Sequence, residues 1–423
     1  MLQVSYIREN RDKVLERLAV KNFKQPQLVD EIIALDEKRR QAQNQSDNVS
    51  SQANAAAKQI GELMRNGKKD EAEAIKANTG KWKEEIKQLG EQLSAFETEL
   101  QEKLVLLPNL PHTSVPKGVS ADDNEIVLEN GTKPELPANA LPHWELAAKY
   151  NLIDFELGVK ITGAGFPVYK NKGAKLQRAL INFFIDEAEK AGYSEVGVPL
   201  VVNEASGFGT GQLPDKEGQM YFVNEDGLYL IPTAEVPITN LYRDVILKGE
   251  ELPVKNCGHT PCFRREAGSY GAHVRGLNRL HQFDKVEIVQ IVQPDKSYEI
   301  LEEMSAHVQG LLQKLGLPYR VLRLCGGDMG FTSALTYDME TWSAAQQRWL
   351  EVSSVSNFET YQANRLKLRF RNTEGKTQLA HTLNGSALAL PRIVATLLEN
   401  NQTEKGIKIP EVLVPYTRFE WID

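Results

Sequence analysis

Residues 262–287 of the chain are "CFRREAGSYGAHVRGLNRLHQFDKVE". The two ends of this stretch alternate in the way that β-strands do, and a polar, glycine-containing loop of 16 residues, Ala267 to Gln282, separates them. Loops of this length inside compact domains are usually functional or disordered. The stretch therefore predicts an antiparallel hairpin that carries a long loop of functional interest.

Four side chains are predicted to lie on one face of this hairpin. Because side chains in a strand point alternately to opposite faces, Arg264 and Glu266 share a face on the first strand, and Phe283 and Glu287 share one on the second. Arginine binds phosphate through a planar fork of donors, an aromatic ring stacks on a base, and carboxylates accept from amino and ammonium groups. The set suits a nucleotide, although spacing alone also allows an edge hairpin with surface ion pairs of minor energetic weight.

Composition limits the class of protein. The 423 residues are 41% hydrophobic and 25% charged, as in ordinary soluble proteins, and leave room for two or three domains. The net charge of −7 argues only weakly against nucleic-acid binding, since a local basic patch is enough for it. Cys257, Cys262 and Cys325 do not have metal-site or disulfide spacing. With no signal peptide or apolar run of membrane length, we expect a cytoplasmic protein with no membrane contact.

The first ~110 residues differ from the rest, because apolar residues recur in them every seven positions. This spacing is typical of two long helices in a coiled coil, and Asn66-Gly67 separates them. We expect an antiparallel helical arm about 60 Å long. The predicted seam consists of Leu28, Leu35, Ala42, Val49, Ala56 and Leu63 with Ile32, Arg39, Ser46, Ala53 and Ile60 in the first helix, and of Ala72, Thr79, Ile86, Leu93, Leu100 and Leu107 with Ile75, Trp82, Leu89 and Phe96 in the second.

Two functions fit such an arm: a dimerisation rod, or a lever that contacts a large partner. Residues 26–107 contain 12 lysines and arginines against 15 acids, so the arm is not uniformly basic. Arg65, Lys68 and Lys69 nevertheless cluster at its tip and fit phosphate contacts with an RNA. Prolines within 106–116 end the coil, and we predict domains over 1–110 and 111–423.

The second predicted domain combines helices and strands without the strict alternation of a parallel sheet. An amphipathic helix is predicted over 173–193, a strand over 194–202, and another helix over 299–317. Successive strand-like segments favour an α+β domain built on an antiparallel sheet flanked by helices.

Three further stretches place polar residues between apolar flanks. They are "TAE" at 233–235, "EVSS" at 351–354, and the helix that contains Arg392, which Pro391 either opens or kinks. An arginine at that point would meet a polyphosphate. Taken singly, each stretch is equally explained by an ordinary turn or a solvated side chain.

In their order along the chain, these motifs resemble the core of the class II aminoacyl-tRNA synthetases, and the arm makes the chain similar to bacterial seryl-tRNA synthetases. The likeness spans nearly the whole chain, in which no "HIGH"- or "KMSKS"-like string and no GxxxxGK[ST] phosphate loop occurs. The resemblance implies a serine–tRNA ligase that activates L-serine with ATP and transfers it to tRNA(Ser), with tRNA(Sec) left open as a second acceptor. It also implies a homodimer, Mg²⁺ bound with ATP and no structural zinc.

The resemblance further implies roles for individual residues. Arg264 and Arg392 would be catalytic, with Arg264 on the α-phosphate and the serine carboxylate, and with Arg392 and Arg279 on the outer phosphates. Glu266 would meet the adenine amino group and Phe283 would stack on the ring. The implied ATP ligands are Arg264, Arg265, Glu266, Arg279, Phe283, Glu351, Val352, Ser353, Ser354 and Arg392. The implied serine ligands are Thr233, Ala234, Glu235, Arg264, Glu287, Asn384 and Ser386, of which Glu287 would lie near the α-amino group and the last two near the hydroxyl. Glu351 and Ser354 would share the Mg²⁺.

Two points test this resemblance. Period-two alternation puts Glu351 and Ser354 on opposite faces, so a shared Mg²⁺ requires a bulge or turn between them. The chain also departs from the family pattern, with no acidic residue in the loop around His273, with Val355 in place of a common cysteine, and with Asn364 in place of a basic residue.

Three alternatives stay open at this point. A class II synthetase for another small amino acid would share the ATP residues but not the arm, and a ligase acting on a carrier protein would also lack it. A dimeric coiled-coil RNA-binding protein without activity would not need Arg264, Glu266, Glu351 and Arg392.

Overall fold

The computed structural model describes residues 1–215, 217–266 and 275–423, so the departure noted at His273 lies outside the described residues. The chain divides into two compact units, of which the first comprises Met1–Ala19 and Phe23–Pro108 and the second comprises Val20–Asn22 and Asn109–Asp423. No helix in the described part of the chain has the length and apolar character needed to cross a membrane.

The first unit is helical. A pair of long helices dominates it, and they run antiparallel, because Lys103 near the end of the second forms an ion pair of 2.8 Å with Glu31 near the start of the first. The predicted coiled-coil arm is therefore confirmed. Its helices are α1 (Val4–Glu9), α2 (Arg11–Val20), α3 (Gln27–Arg65) and α4 (Lys69–Leu104).

The seam of this helical pair follows the predicted seven-residue spacing. Leu28, Leu35, Ala42, Val49 and Ala56 of α3 are buried, as are Ala72, Leu89 and Leu100 of α4.

A polar position in the seam, Arg39, has a local partner. Arg39 donates to the carboxylate of Asp36 at 2.8 Å, and Arg8 of α1 contacts the same carboxylate at 2.5 Å. Asp36 is buried, and a buried carboxylate requires such pairing. Arg39, which interrupts the apolar seam, thus belongs to a cluster of ion pairs that joins α1 to α3.

The second unit is an α+β structure, as predicted. Its helices are α5 (His143–Lys149), α6 (Phe155–Ile161), α7 (Asn171–Lys190), α8 (Glu204–Thr210), α9 (Glu235–Asn240), α10 (Ser297–Lys314), α11 (Thr360–Leu366), α12 (Leu390–Asn400) and α13 (Val414–Thr417). Its strands are β1 (Glu125–Asn130), β2 (Ile153–Asp154), β3 (Val168–Tyr169), β4 (Ser194–Glu195), β5 (Val201–Val202), β6 (Phe222–Val223), β7 (Leu228–Leu230), β8 (Ile246–Lys248), β9 (Val254–Phe263), β10 (Gln282–Val292), β11 (Tyr319–Arg323), β12 (Leu335–Ser343), β13 (Arg348–Asn357), β14 (Arg369–Arg371), β15 (Thr377–Leu379), β16 (His381–Ala389), β17 (Gln402–Thr403), β18 (Gly406–Lys408) and β19 (Trp421–Ile422).

The main sheet has eight strands in the order β1-β11-β12-β13-β16-β10-β9-β4. Neighbouring strands pair antiparallel, except that β4 runs parallel to β9 at one edge. The helix α7 extends over 171–190 rather than 173–193, and its predicted apolar side is buried against the sheet. The prediction of one continuous strand over 194–202 is wrong, because only β4 and β5 are strands there and Pro199, between them, has no N–H to donate to a ladder.

Candidate active site

The hairpin predicted from residues 262–287 is present in the sheet. β9 and β10 pair antiparallel with Cys262 opposite Phe283, and the N–H of Arg264 donates to the carbonyl of His281 at 2.9 Å just beyond the strand end. The predicted alternation fails at Glu266, however, because β9 ends at Phe263 and Glu266 has a left-handed backbone with φ of 48°. Glu266 reaches the site through this turn of the backbone, not through strand periodicity.

A cavity of about 510 Å³ lies over this hairpin, within the range typical of small-ligand sites. Most of the residues proposed from the sequence line it, although they come from distant parts of the chain. They are Thr233, Glu235, Arg264, Glu266, Arg279, Phe283, Glu351, Val352, Ser353, Ser354, Asn384, Ser386 and Arg392. Ala234 and Glu287 are fully buried and do not line the cavity, and Arg265 is exposed outside it.

One end of the cavity contains a buried cluster of opposite charges. Lys285 forms a short ion pair with Glu287 and donates to the hydroxyl of Thr233 at 2.9 Å. Glu287 also accepts from the Asn384 amide at 3.0 Å. Burial raises the pKa of the Glu287 carboxyl, and the Lys285 ammonium opposes that rise. This end can therefore recognise a small molecule that carries both charge and hydrogen-bonding groups.

The second carboxylate at this end is Glu235, the first residue of α9. Burial raises the pKa of Glu235 to about 7, and the neighbouring Glu287 carboxylate contributes to the rise. An amide N–H of Gln362 donates to Glu235 at 2.6 Å and opposes the rise. The pKa of the Glu235 carboxyl is thus close to neutral pH, where its charged and neutral forms are both populated.

Another part of the cavity wall is formed by β13, which contains the bulge that a Mg²⁺ shared by Glu351 and Ser354 would require. In the pairing with β12, Ser353 lies opposite Met339 and Glu351 lies opposite Glu340, so Val352 is an extra residue. The bulge offsets the alternation, and Glu351 and Ser354 both line the cavity.

A buried acid lies next to this bulge. Asp338 is the cross-strand neighbour of Ser354, and its buried Oδ1 has no hydrogen-bond partner among the described residues. Burial raises the pKa of the Asp338 carboxyl well above its usual range, and the charge of Glu351 adds to that rise. Oxygen donors of this kind fit a hard cation such as Mg²⁺.

The described residues contain no cluster of three or more His, Cys, Asp or Glu side chains arranged to hold a metal ion. A Mg²⁺ at Glu351 and Ser354 would therefore take its remaining ligands from phosphates and water, as is usual for this ion.

Arg392 is fixed beside β13 in the wall of the cavity. Pro391 lies in the first turn of α12 and opens the helix, so the alternative of a kink is excluded. Arg392 donates to the main-chain carbonyls of Asn278 at 3.0 Å and Glu351 at 2.7 Å. Its guanidinium is consequently held in place before any ligand arrives.

Arg264 is a cation of the cavity wall, and its charge lowers the pKa of both Glu235 and Glu287. Its guanidinium stands 5.2 Å from the centre of the Phe283 ring, and its Nε donates to the carbonyl of Pro232 at 3.2 Å. The structure therefore holds a fixed cation close to the two carboxylates.

The tip residues of the first unit are exposed, as a contact surface would require. Lys68 forms an ion pair of 2.9 Å with Glu71, and the Nε of Arg65 donates to the carbonyl of Gly61 at 3.3 Å.

Sequence reasoning missed Lys285, Asp338 and Gln362 as site residues. Lys285 has a signal, since it shares the strand face of Phe283 and Glu287. Asp338 and Gln362 have none, because only strand pairing and helix packing bring them next to the cavity residues Ser354 and Glu235.

Comparison with known proteins identifies the family of this chain. A serine–tRNA ligase from Salinibacter ruber is 53% identical to this chain over 421 residues, which cover 99% of the chain and 98% of the relative. The chain belongs to the seryl-tRNA synthetase family. A second serine–tRNA ligase, from Akkermansia muciniphila, is 47% identical and covers 98% of this synthetase, with 97% of its own length matched. The identification as an ATP-dependent serine–tRNA ligase is confirmed.

Both units of the synthetase match described domains. Residues 1–111 match the seryl-tRNA synthetase N-terminal domain, and residues 221–401 match the class II synthetase core domain of the G, H, P, S and T enzymes. The seryl-tRNA synthetase of Pyrococcus horikoshii, solved in complex with ATP, has a TM-score of 0.93 at 33% identity, covering 100% of this synthetase and 99% of that chain. The enzyme of Naegleria fowleri, solved with AMP, has a TM-score of 0.88 at 27% identity with the same coverage.

Proposed function

We propose that the cavity of the second unit activates L-serine with ATP, and that the chain then transfers the seryl group to the 3′ end of tRNA(Ser). The observation that carries this proposal is the arrangement of charge along the cavity. Glu235 lines the cavity with Glu287 buried behind it, the charge of Arg264 acts on both carboxylates, and Arg392 contacts the bulged strand β13 at the carbonyl of Glu351. This set of charges matches an amino acid joined through its carboxylate to a nucleotide.

The reaction explains why the cavity carries the cation Arg264 and why we assign no residue as a general acid or base. An oxygen of the serine carboxylate attacks the α-phosphorus of ATP in line, and the bond to the departing pyrophosphate breaks. Both reactants are anionic, so positioning and positive charge are the main requirements. We assign Arg264 to the α-phosphate and the serine carboxylate, because it is a cation of the cavity wall that a hydrogen bond to Pro232 fixes close to Glu235.

The nucleotide is assigned to the part of the cavity wall that includes Phe283. Phe283 would stack on adenine, Glu266 would accept from its amino group, and Arg279 and Arg392 would bind the outer phosphates. The preformed hydrogen bonds of Arg392 support this role, because a fixed donor loses little freedom when phosphate binds. The backbone around Val352 and Ser353 would complete this part of the pocket.

Mg²⁺ is assigned to Glu351 and Ser354. When bound with ATP it would neutralise phosphate charge and hold the phosphate chain in line for attack. The bulge of β13 supports the assignment, because it allows both side chains to reach one cavity.

Serine is assigned to the charged cluster. Glu235 is the carboxylate that lines the cavity, so we give it the contact with the ammonium group, while Glu287 adds negative charge from behind Thr233 and Asn384. Asn384 and Ser386 would meet the hydroxyl. With alanine, the buried Ser386 would lose this contact, and the size of the pocket would exclude threonine.

The first unit is assigned to tRNA. All the candidate ATP and serine ligands belong to the second unit, and the exposed Arg65, Lys68 and Lys69 fit phosphate contacts in the first. The acceptor would be tRNA(Ser), and tRNA(Sec) is a second substrate to be tested. We propose that the reaction takes place in the cytoplasm.

We also propose a homodimer joined through the region around Pro199. Leu200 and Val201, at the start of β5, and Phe222 of β6 are exposed apolar residues of one small sheet, and they support a covered surface in this region. Light scattering of the full chain should give a dimer, and Val201→Glu should dissociate it, whereas a monomeric unaltered chain at micromolar concentration would refute the proposal.

Amino-acid-dependent exchange of pyrophosphate into ATP tests the function directly. Serine should support exchange far better than alanine, threonine, glycine or proline. Preference for another small amino acid would favour a different class II specificity, and exchange dependent on no amino acid would favour the non-enzymatic alternative.

A further inference from the structure

Gln362 lies behind the carboxylate end of the cavity and does not line it. It belongs to α11 and is 1% exposed. Its Nε2 donates to Oε1 of Glu235 at 2.6 Å and to the carbonyl of Thr210 at 3.1 Å, and its Oε1 accepts from the Thr382 hydroxyl at 2.7 Å. The side chain therefore connects three elements at a point where no substrate reaches it.

The surroundings of this amide allow only one orientation. The Thr210 carbonyl and an ionised Glu235 only accept hydrogen bonds, so both require the Nε2 side of Gln362. Reversal of the amide would place its oxygen against two acceptors and its N–H₂ against the Thr382 hydroxyl. Gln362 is thus a fixed donor aimed at one carboxylate oxygen.

Glu235 needs such a donor because its surroundings disfavour charge. It is 6% exposed, and burial and the Glu287 carboxylate of β10 both raise its pKa. The opposing groups are Gln362 from α11, Lys285 from β10 and Arg264 just beyond β9. Among these opposing groups the Gln362 hydrogen bond has the largest effect.

We propose that Gln362 is a positioning residue for the amino-acid pocket, which holds the Glu235 carboxylate ionised and directed at the ammonium group of the substrate. The inference rests on the proposed function, since it takes the substrate to be an α-amino acid with its ammonium group at Glu235. A purely structural Gln362 would tie α11 to Thr210 and leave the affinity for serine unchanged.

The pH dependence of serine binding distinguishes the two roles. Ammonium binds the charged form of Glu235, so in the unaltered chain KM for serine should rise as the pH falls through about 7, a range in which the ammonium group of serine stays protonated. Gln362→Met keeps the length of the side chain and removes the donor, so the pKa of Glu235 should rise further. We expect KM for serine to increase by about 10–100-fold at pH 7 and the inflection to move to higher pH, with KM for ATP unchanged.

Two further variants keep the test decisive. Thr382→Val removes only the hydroxyl that orients the amide, and it should give a smaller shift in the same direction, even if Gln362→Met does not fold. Gln290→Met is the matched control, because Gln290 is also 1% exposed but donates to Tyr193 outside the cavity. It should leave both KM for serine and its pH profile unchanged.

The outcomes separate this inference from the proposed function. Folded Gln362→Met and Thr382→Val variants with an unaltered pH profile for serine would overturn the inference and leave serine activation intact. An equal shift in Gln290→Met would also overturn it, because any buried glutamine would then have the same effect. Absence of serine-dependent exchange in the unaltered chain would instead overturn the proposed function and the inference together.

Discussion

Arg279 and Glu266 neutralise each other, with 2.5 Å between the Nε of the arginine and a carboxylate oxygen of the glutamate. Both line the cavity, and sequence reasoning assigns them to opposite parts of ATP, the outer phosphates and the adenine amino group. ATP binding must therefore break this ion pair or share it.

This relationship predicts that the two residues are energetically coupled in ATP binding. Arg279→Ala should raise KM for ATP in the exchange reaction by about 10–100-fold, because the phosphates no longer meet a charged hydrogen-bond donor there. Glu266→Gln removes the negative charge and one of the two acceptor oxygens but releases Arg279, so the double variant should differ from the sum of the single effects by about 0.5–3 kcal/mol. Additive effects on KM for ATP would show that the pair does not survive in the working enzyme.

Arg264 should be the most sensitive residue in the activation step. Arg264→Ala removes a donor aimed at charge that grows on the transferring phosphorus, and losses of this kind cost about 10²–10³ in kcat. Exchange kinetics measure the effect. Arg371→Ala is the control, since Arg371 is exposed on β14 outside the cavity, and equal mild effects in both variants would contradict the role of Arg264.

Ser354→Ala should weaken Mg²⁺ binding. The half-saturating Mg²⁺ concentration in the exchange reaction should rise by at least about tenfold, which is the loss typical even of residues that only support a metal ligand. Saturating Mg²⁺ should restore much of the rate. Ser305→Ala, in a buried serine of α10 away from the cavity, is the control, and a Mg²⁺ dependence that is unaltered in Ser354→Ala would exclude the serine as a ligand.

Deletion of residues 30–100, joined by a short linker, should separate the two reaction steps. Serine-dependent exchange should remain nearly intact, because the candidate ATP and serine ligands belong to the second unit. Charging of tRNA should collapse, chiefly through a raised KM for tRNA. Loss of exchange in a folded protein would mean that the arm supports the active site, and undiminished charging would leave the arm as a structural rod.

Replacement of Arg65, Lys68 and Lys69 by alanine should reproduce part of this effect. KM for tRNA should rise, and the slope of its dependence on salt should fall by up to about three, because each phosphate that the tip no longer binds lowers it by about one. Alanine at Lys81, Lys83 and Lys87 removes the same charge from exposed positions along α4. If this control triple weakens tRNA binding equally, the tip has no special role.

The parts of the structure that depend on local periodicity were predicted well. The heptads of α3 and α4 and the pairing of β9 with β10 follow from spacing alone, because helix and strand periods place side chains without help from distant residues. The need for a bulge between Glu351 and Ser354 followed from the same rule, since strict alternation would have separated them.

The parts that depend on backbone exceptions and distant contacts were not predicted. The left-handed backbone at Glu266 ends the alternation, and nothing in the sequence around it indicates that conformation. Glu235 and Gln362 are 127 positions apart, and their hydrogen bond exists only because α9 and α11 meet behind the cavity.

The bulge at Val352 lets Glu351 and Ser354 share a face although three positions separate them. Deletion of Val352 would restore regular pairing with β12 and leave the two residues two positions apart, so their side chains would still lie on one face of the strand. A chain without Val352 should thus keep Mg²⁺-dependent activation if the face of the strand is what the site requires. Two different lengths of β13 are therefore compatible with the same pair of side chains.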